Sequence, residues 1–237
     1  MTEIPSGDAT GSQQQPSDVL QEQEQAPRGF PIVSVGASAG GLEPFLDILR
    51  NLPDRAGMAF IYLLHQDKHD SALPQIISRV THMKAVPATN GLLVEPDHVY
   101  VAAPRTVVQV AAGRLLVQDG DAGMAAAMPI DDLFRSVAEE RGSRAIGVVL
   151  SGTGSDGAYG TTVIKAEGGI TFAQDASAQF PQMPQAAIAA GGIDFVLSPA
   201  EMGTELVRVA QQAETVRASR LPESELSRLF AVLQTTH

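Results

Sequence analysis

The chain has 237 residues, of which 44% are hydrophobic and 18% charged, a composition typical of a folded globular protein. Its formal net charge of −11 argues against nucleic acid as a partner, because proteins bind a polyanion through Lys and Arg patches. The absence of cysteine excludes disulfides and thiolate metal sites. No apolar run approaches the ~20 residues of a transmembrane helix and no signal peptide is visible, so we expect a cytoplasmic protein without membrane insertion.

Residues 1–28 are rich in Gln, Glu, Ser and Pro and predict a disordered N-terminal arm. From residue 29 to 213, short apolar runs alternate with amphipathic segments, which predicts a single α/β domain with a doubly wound, mainly parallel sheet. The predicted strands cover residues 31–35, 59–64, 85–87, 145–150, 169–173 and 194–197. The predicted helices cover residues 42–52, 71–81, 130–140, 157–167, 184–190 and 200–213.

Residues 98–117 depart from this alternation, because no helix separates the strand candidates 98–102, 107–110 and 114–117. A turn at Ala112-Gly113 favours an antiparallel β-hairpin here, with His98 at its start. Beyond the domain, residues 214–237 predict a polar linker over 214–222 and then the start of an amphipathic helix. That helix either packs back on the domain or leads into a further one.

The sequence Gly36-x-Ser38-x-Gly40 follows the first predicted strand and precedes a predicted helix. This pattern is typical of a serine held on a tight strand-to-helix turn, where its hydroxyl is exposed. The glycines allow close approach of backbone and substrate, and free N–H groups at the helix start can stabilise an oxyanion. Ser38 is therefore a candidate nucleophile.

Two further strand ends carry the residues that such a nucleophile needs. His65 directly follows the strand at 59–64, and the strand at 145–150 runs into the loop Ser151-Gly152-Thr153-Gly154-Ser155-Asp156-Gly157. Functional side chains of parallel sheets collect at the carboxyl ends of the strands. Ser38, His65 and Asp156 thus predict a catalytic triad of nucleophile, base and orienting acid.

Each candidate also has a structural interpretation. Glycine-flanked serines often cap helices or bind phosphate, His65 could be a hydrogen-bonded residue at the sheet rim, and Asp156 is well placed as an N-cap of the next helix. Among the other histidines, His69 is a distant second choice as base, and neither His82 nor His98 directly follows a buried strand. No His and carboxylate spacing predicts a metal site.

The order Ser38, His65, Asp156 differs from that of ordinary α/β-hydrolases, in which the histidine comes last. The glycines at 36–41 match neither the dinucleotide fingerprint nor the P-loop. Residues 35–41, the strand-end His65 and residues 150–157 together resemble the CheB-type protein-glutamate methylesterases of bacterial chemotaxis. Residues 129–138, 173–175 and 183–184 add to the resemblance, which covers about residues 31–212.

The resemblance implies an esterase, without cofactor, that hydrolyses glutamyl γ-methyl esters on the signalling helices of methyl-accepting chemoreceptors and releases methanol. Glutamine deamidation at such sites is also implied. Ser38 would be the nucleophile, His65 the base and Asp156 the orienting acid, while Ala39, Gly40 and Thr153 would form the oxyanion and substrate-binding site.

Ala39 and Thr153 stand where the family usually has Thr and Met, as in methylesterase domains fused to a methyltransferase. Residues 226–233 look like the first helix of that methyltransferase, so we expect the chain to be the N-terminal part of such a hybrid. No phosphoacceptor receiver domain precedes residue 30, and regulation by phosphorylation within this chain is not expected. The alternatives to an active esterase are a catalytically weak or inactive interaction module of a chemosensory complex and a phosphate-binding regulatory domain at residues 152–157.

Overall fold

A computed structural model describes residues 29–65, 72–120 and 128–219, with the side chains described as far as residue 211. The predicted arm at 1–28 and the predicted helix start beyond residue 222 lie outside the described residues. Among the described helices, none is long and apolar enough to cross a membrane.

Nine strands and six α-helices are described. The strands are β1 (Ile32–Ala37), β2 (Ala59–Leu64), β3 (Lys84–Pro87), β4 (His98–Val101), β5 (Thr106–Ala111), β6 (Arg114–Asp119), β7 (Ala145–Val149), β8 (Ile170–Gln174) and β9 (Phe195–Leu197). The helices are α1 (Leu42–Arg50), α2 (Leu73–Ile77), α3 (Pro129–Arg141), α4 (Ala158–Ala166), α5 (Gln182–Ala189) and α6 (Pro199–Ser219). A short 3₁₀ turn, Gly142–Arg144, connects α3 to β7.

Seven strands form one parallel sheet in the order β3-β4-β2-β1-β7-β8-β9, and β5 pairs with β6 as a separate antiparallel hairpin. The expected α/β fold with a doubly wound parallel sheet and a hairpin is therefore confirmed. β1 lies at the centre, between β2 and β7. Because all seven strands run in the same direction, the carboxyl ends of β2, β1 and β7 lie side by side at one edge of the sheet.

The sheet is buried on both faces, which explains why β1, β2 and β7 are apolar almost throughout. Alternate side chains of β1 and β2 enter two hydrophobic clusters. The first cluster contains Val33 and Val35 with apolar residues of α1, α2 and α6. The second contains Ile32 and Ile61 with residues of α3, α4, α5 and the hairpin. Helices thus cover both faces and leave the strand ends for the site.

Three sequence expectations differ from the structure. The strand at His98 does not belong to the hairpin, because β4 joins the main sheet parallel to β2 and β3 and its apolar residues pack there. The hairpin consists of β5 and β6 alone, which are separated by a tight turn. The helix expected at 71–81 is shorter, because after Ile77 the chain forms turns. Helix α6 continues to Ser219 rather than ending at 213, because residues 214–219 contain neither Gly nor Pro to stop it.

Two buried tyrosines, Tyr62 and Tyr100, differ in whether their hydroxyl groups have hydrogen-bond partners. The ring of Tyr62 stacks on Phe45 with centroids 4.2 Å apart, but its buried hydroxyl has no hydrogen-bond partner among the described residues. The Tyr100 hydroxyl, in contrast, donates to the Leu93 carbonyl at 3.0 Å and accepts from the Glu95 N–H at 2.8 Å.

We expect Tyr62→Phe to raise the free energy of unfolding by about 1 kcal/mol, because it removes a desolvated hydroxyl and keeps the ring. Tyr100→Phe should lower the free energy of unfolding by about 1 kcal/mol, because it leaves a donor and an acceptor unpaired. Urea denaturation of both variants measures the difference. Destabilisation by Tyr62→Phe equal to that by Tyr100→Phe would show that the Tyr62 hydroxyl is partnered after all.

Candidate active site

The end of β1 and the turn after it are built from small residues because their neighbours leave no room for larger ones. A Cβ on Gly36 would lie 2.3 Å from Ile130 Cγ2, and one on Gly41 would lie 2.4 Å from the Cβ of Ala37. Gly40 has a φ of +71°, a left-handed conformation that side chains disfavour. The chain therefore turns sharply between β1 and α1 and places Ser38 at the carboxyl edge of the sheet.

Ser38 is 8% exposed and is held by the main chains of two neighbouring strand ends. Its N–H donates to the Ser151 carbonyl beyond β7 at 3.0 Å. Its hydroxyl donates to the carbonyl oxygen of His65 beyond β2 at 2.8 Å. The predicted nucleophile is thus fixed between the two strands that carry its predicted partners.

His65 and Asp156 are also brought together. His65 Nδ1 lies 3.9 Å from Asp156 Oδ2, within ion-pair distance but longer than a hydrogen bond. The histidine side chain is half exposed, whereas Asp156 is 4% exposed. The side chains of Ser38 and His65, in contrast, are not joined by a hydrogen bond. Among the described residues, the Ser38 hydroxyl bonds the His65 main-chain carbonyl and not its imidazole.

The Asp156 carboxylate receives two main-chain hydrogen bonds from the start of α3. Ile130 N donates to Oδ2 and Asp131 N donates to Oδ1, each at 3.1 Å. The N-cap position of α4 is occupied by Gly157, with a φ of 91° and no side-chain cap. The interpretation of Asp156 as the N-cap of its own following helix is therefore wrong, because its carboxylate satisfies the free N–H groups of a different helix.

Burial raises the pKa of Asp156 to about 6, because an ionised carboxylate loses its hydration at this site. The N–H groups of Ile130 and Asp131 oppose this shift by bonding the ionised form. The negative charge of Asp131 raises the pKa further, and His65 lowers it. A carboxyl group with a pKa close to neutrality beside a histidine is an arrangement frequent at functional sites.

The predicted oxyanion residues lie in two loops, Ala39 and Gly40 in the turn after β1 and Thr153 in the loop after β7. Among the described residues, no hydrogen-bond acceptor is recorded for the main-chain N–H groups of Ala39, Gly40 and Thr153. The Ala39 carbonyl accepts a hydrogen bond from Ser151 Oγ at 2.8 Å, which ties the turn after β1 to the loop after β7. These three residues stay predictions for a site that receives a developing negative charge.

Sequence reasoning assigned no role to Ser151 and Gln174, although both support the Ser38 turn. The Ser151 hydroxyl accepts from Phe180 N at 3.0 Å while donating to Ala39, and it is buried. The Gln174 amide oxygen accepts from Ser151 N at 2.9 Å, also in the interior. Their positions, directly after β7 and at the end of β8, could have marked them as supports of the site. Their bonding partners could not be predicted, because these depend on the tertiary structure.

The other histidines lie away from this site or outside the described residues. His69 and His237 fall in the segments that are not described. His82 is exposed and lies 3.6 Å from Asp54, and His98 begins β4, so it lies at the opposite edge of the parallel sheet from Ser38. Within the described part of the chain, no group of three or more His, Asp or Glu side chains could hold a metal ion.

The sequence is similar to those of known proteins. Residues 33–206 match the CheB methylesterase family, and the chain belongs to that family. The protein-glutamate methylesterase/protein-glutamine glutaminase of Photorhabdus laumondii is 31% identical over 191 residues, which are 78% of this chain and 55% of that protein. The protein-glutamate methylesterase FrzG of Myxococcus xanthus is 32% identical over 199 residues, covering 83% of this chain and 60% of FrzG.

A solved structure is also similar. The CheB methylesterase catalytic domain of Thermotoga maritima superposes with a TM-score of 0.68 at 26% identity and covers 76% of this chain and 99% of its own. The chain spans about half the length of the curated relatives that it matches. The resemblance inferred from residues 35–41 and 150–157 is thereby confirmed at the level of the family.

The pKa of Asp156 gives a test of its buried environment. This pKa lies at about 6 in the folded protein, above the ~3.9 of an unfolded aspartate. The folded state therefore binds the proton more tightly than the unfolded state, and protonation of Asp156 stabilises the fold. The stabilisation is fully present below pH ~4 and is lost as the pH rises through about 6. We expect the unfolding free energy of wild type minus that of Asp156→Asn to fall by about 2–3 kcal/mol between pH 4 and 6.5. A difference that rises over this range would mean that the two N–H bonds outweigh burial.

Proposed function

We propose that the protein is a protein-glutamate methylesterase that hydrolyses glutamyl γ-methyl esters on chemoreceptor signalling helices in the cytoplasm and releases methanol. One observation carries the proposal: Ser38, His65 and the buried Asp156 follow three adjacent parallel strands, β1, β2 and β7. Family membership supports the same chemistry. Several relatives are named both methylesterase and protein-glutamine glutaminase, so the proposal includes deamidation of glutamine at such sites.

In this mechanism the Ser38 hydroxyl leaves the His65 carbonyl and turns to the imidazole, which removes its proton as Oγ attacks the ester carbonyl. The resulting tetrahedral intermediate expels methoxide, which takes the proton from the imidazolium and departs as methanol. Water then attacks the acyl-enzyme with the imidazole again as base, and the free glutamate carboxyl and the Ser38 hydroxyl are restored. Asp156, on the Nδ1 side of the ring, orients the imidazole and stabilises its cation.

The N–H groups of Ala39, Gly40 and Thr153 would stabilise the oxygen of the tetrahedral intermediate. Ala39 and Gly40 follow Ser38 in the same turn, Thr153 lies in the loop after β7, and all three N–H groups are free of acceptors among the described residues. Donors held in place before the reaction act on the charge as it develops, and removing one typically costs ~10²–10³ in kcat. The anchor from Ser151 Oγ to the Ala39 carbonyl keeps this turn in position.

We expect Ser38→Ala to lower methanol release from a methylated receptor by at least ~10³-fold, because removal of a triad nucleophile leaves only the effect of binding and the oxyanion site. Gas chromatography of released methanol measures the rate. Ser143→Ala is the matched control: Ser143 is exposed and precedes β7, at the opposite edge of the sheet, so this variant should retain full activity. Undiminished release from Ser38→Ala at unchanged stability would exclude Ser38 as the nucleophile.

A second candidate function rests on a specific observation. The Ser38 hydroxyl bonds the His65 main chain, and His65 lies 3.9 Å from Asp156, so the three side chains are not linked by hydrogen bonds. A protein that retained this geometry permanently would be an interaction module of a chemosensory complex rather than an esterase.

A fluorophosphonate probe separates the two functions, since it modifies only an activated serine. The esterase proposal predicts stoichiometric labelling of wild type at Ser38, found by mass spectrometry of the modified peptide. Labelling should be lost in Ser38→Ala and retained in Ser143→Ala. An unlabelled wild-type protein that binds receptor helices would favour the interaction module.

A further inference from the structure

We propose that Asp131 is a positioning residue for the esterase, whose carboxylate holds the start of α4 against the start of α3 and thereby fixes Asp156 next to His65. The inference rests on the proposed function and adds a residue outside the Ser38, His65 and Asp156 triad. Asp131 is 9% exposed and lies in the first turn of α3.

Asp131 makes hydrogen bonds in two directions. Its Oδ1 accepts from the N–H of Gly160, in the first turn of α4, at 2.6 Å. Its own N–H donates to Asp156 Oδ1 at 3.1 Å. Asp156, which precedes α4, thus accepts from main-chain N–H groups of α3. Asp131, which lies in α3, accepts in turn from a main-chain N–H group of α4.

This exchange matters for Asp156 because the residue lies only two positions before α4 begins. Any shift of the start of α4 therefore carries the Asp156 carboxylate with it. On the other side, Asp156 is attached to α3 through the N–H groups of Ile130 and Asp131. The bond from the Gly160 N–H to the Asp131 carboxylate adds a direct link from α4 to α3.

The two helices approach each other backbone to backbone at this point. A Cβ on Gly160 would lie 2.6 Å from Phe134 Cβ and 3.1 Å from Asp131 Cα. A Cβ on Gly157 would lie 2.9 Å from Ile130 Cγ2. With so little free space, the junction transmits a displacement of one helix start to the other.

The charges around Asp131 are consistent with a buried bonding role rather than a surface one. Burial raises the pKa of Asp131 and the charge of Asp132 raises it further, while the N–H groups of Gly160, Gly157 and Tyr159 oppose the shift. The neighbouring Asp132 is half-buried and bonds Arg135 at 3.0 Å, on the side of α3 that faces solvent. Asp156 and, beyond it, His65 are the other charged or titratable partners of this junction.

We expect Asp131→Ala to lower kcat for methyl ester hydrolysis at least tenfold with less than a twofold change in KM, because Asp156 loses its position and substrate contacts are unaltered. Asp131→Asn should restore kcat to within threefold of wild type, since its amide oxygen still accepts from Gly160. Asp132→Ala is the matched control from the adjacent position and should behave as wild type. All variants are compared well below their melting temperatures, so that loss of folded protein does not enter kcat.

The rate of fluorophosphonate labelling of Ser38 is measured in parallel and should follow the same order. This second readout needs no receptor: a wild type that labels but releases no methanol would refute the proposed substrate, and the labelling rates would still test Asp131. Folded Asp131→Ala with wild-type kcat and labelling rate would overturn the inference. So would a tenfold loss in folded Asp131→Asn, an outcome that remains decisive if Asp131→Ala does not fold.

Discussion

The buried carboxylate of Asp156 and the free N–H groups at the start of α3 depend on each other. A carboxylate with 4% exposure loses most of its hydration, and the first N–H groups of a helix have no partner within the helix. The two bonds of 3.1 Å to Ile130 and Asp131 satisfy both needs at once. Because Asp156 also precedes α4, this contact fixes two helices and one proposed catalytic side chain with a single group.

Ser38 is likewise held by hydrogen bonds to the main chain of neighbouring segments. The parallel arrangement of β2, β1 and β7 brings three strand ends to one edge, and main-chain bonds then set the details. Ser38 is tied to Ser151 by its N–H and to His65 by its hydroxyl. The hydroxyl lies next to the residue that would deprotonate it but is bonded to that residue's carbonyl. In the proposed mechanism, the Ser38 and His65 side chains would rotate so that the hydroxyl donates to the imidazole instead.

The sequence predicts the elements that carry strong periodicity. The strand at 59–64 has the predicted bounds, and β1 and β7 differ from prediction by one or two residues at their ends, so the positions of His65, Ser38 and Asp156 at strand ends follow from pattern alone. The place of β4 in the main sheet could not be predicted, because it depends on pairing with residues of β2 that lie 39 positions earlier in the sequence. Nor could the contact of Asp156 with α3, since local spacing favours a cap on the next helix and only tertiary packing brings Ile130 close.

In the proposed mechanism, Ser38 is an activated nucleophile that uses His65 and the N–H groups beside it. A crystal structure of the protein after reaction with a phosphonate ester tests it most directly. An activated Ser38 should carry a covalent bond from Oγ to phosphorus, with the phosphonyl oxygen ~2.7–3.1 Å from the nitrogens of Ala39, Gly40 or Thr153 and the His65 ring turned towards the adduct. An unmodified Ser38 still bonded to the His65 carbonyl, or an adduct on another residue, would contradict it.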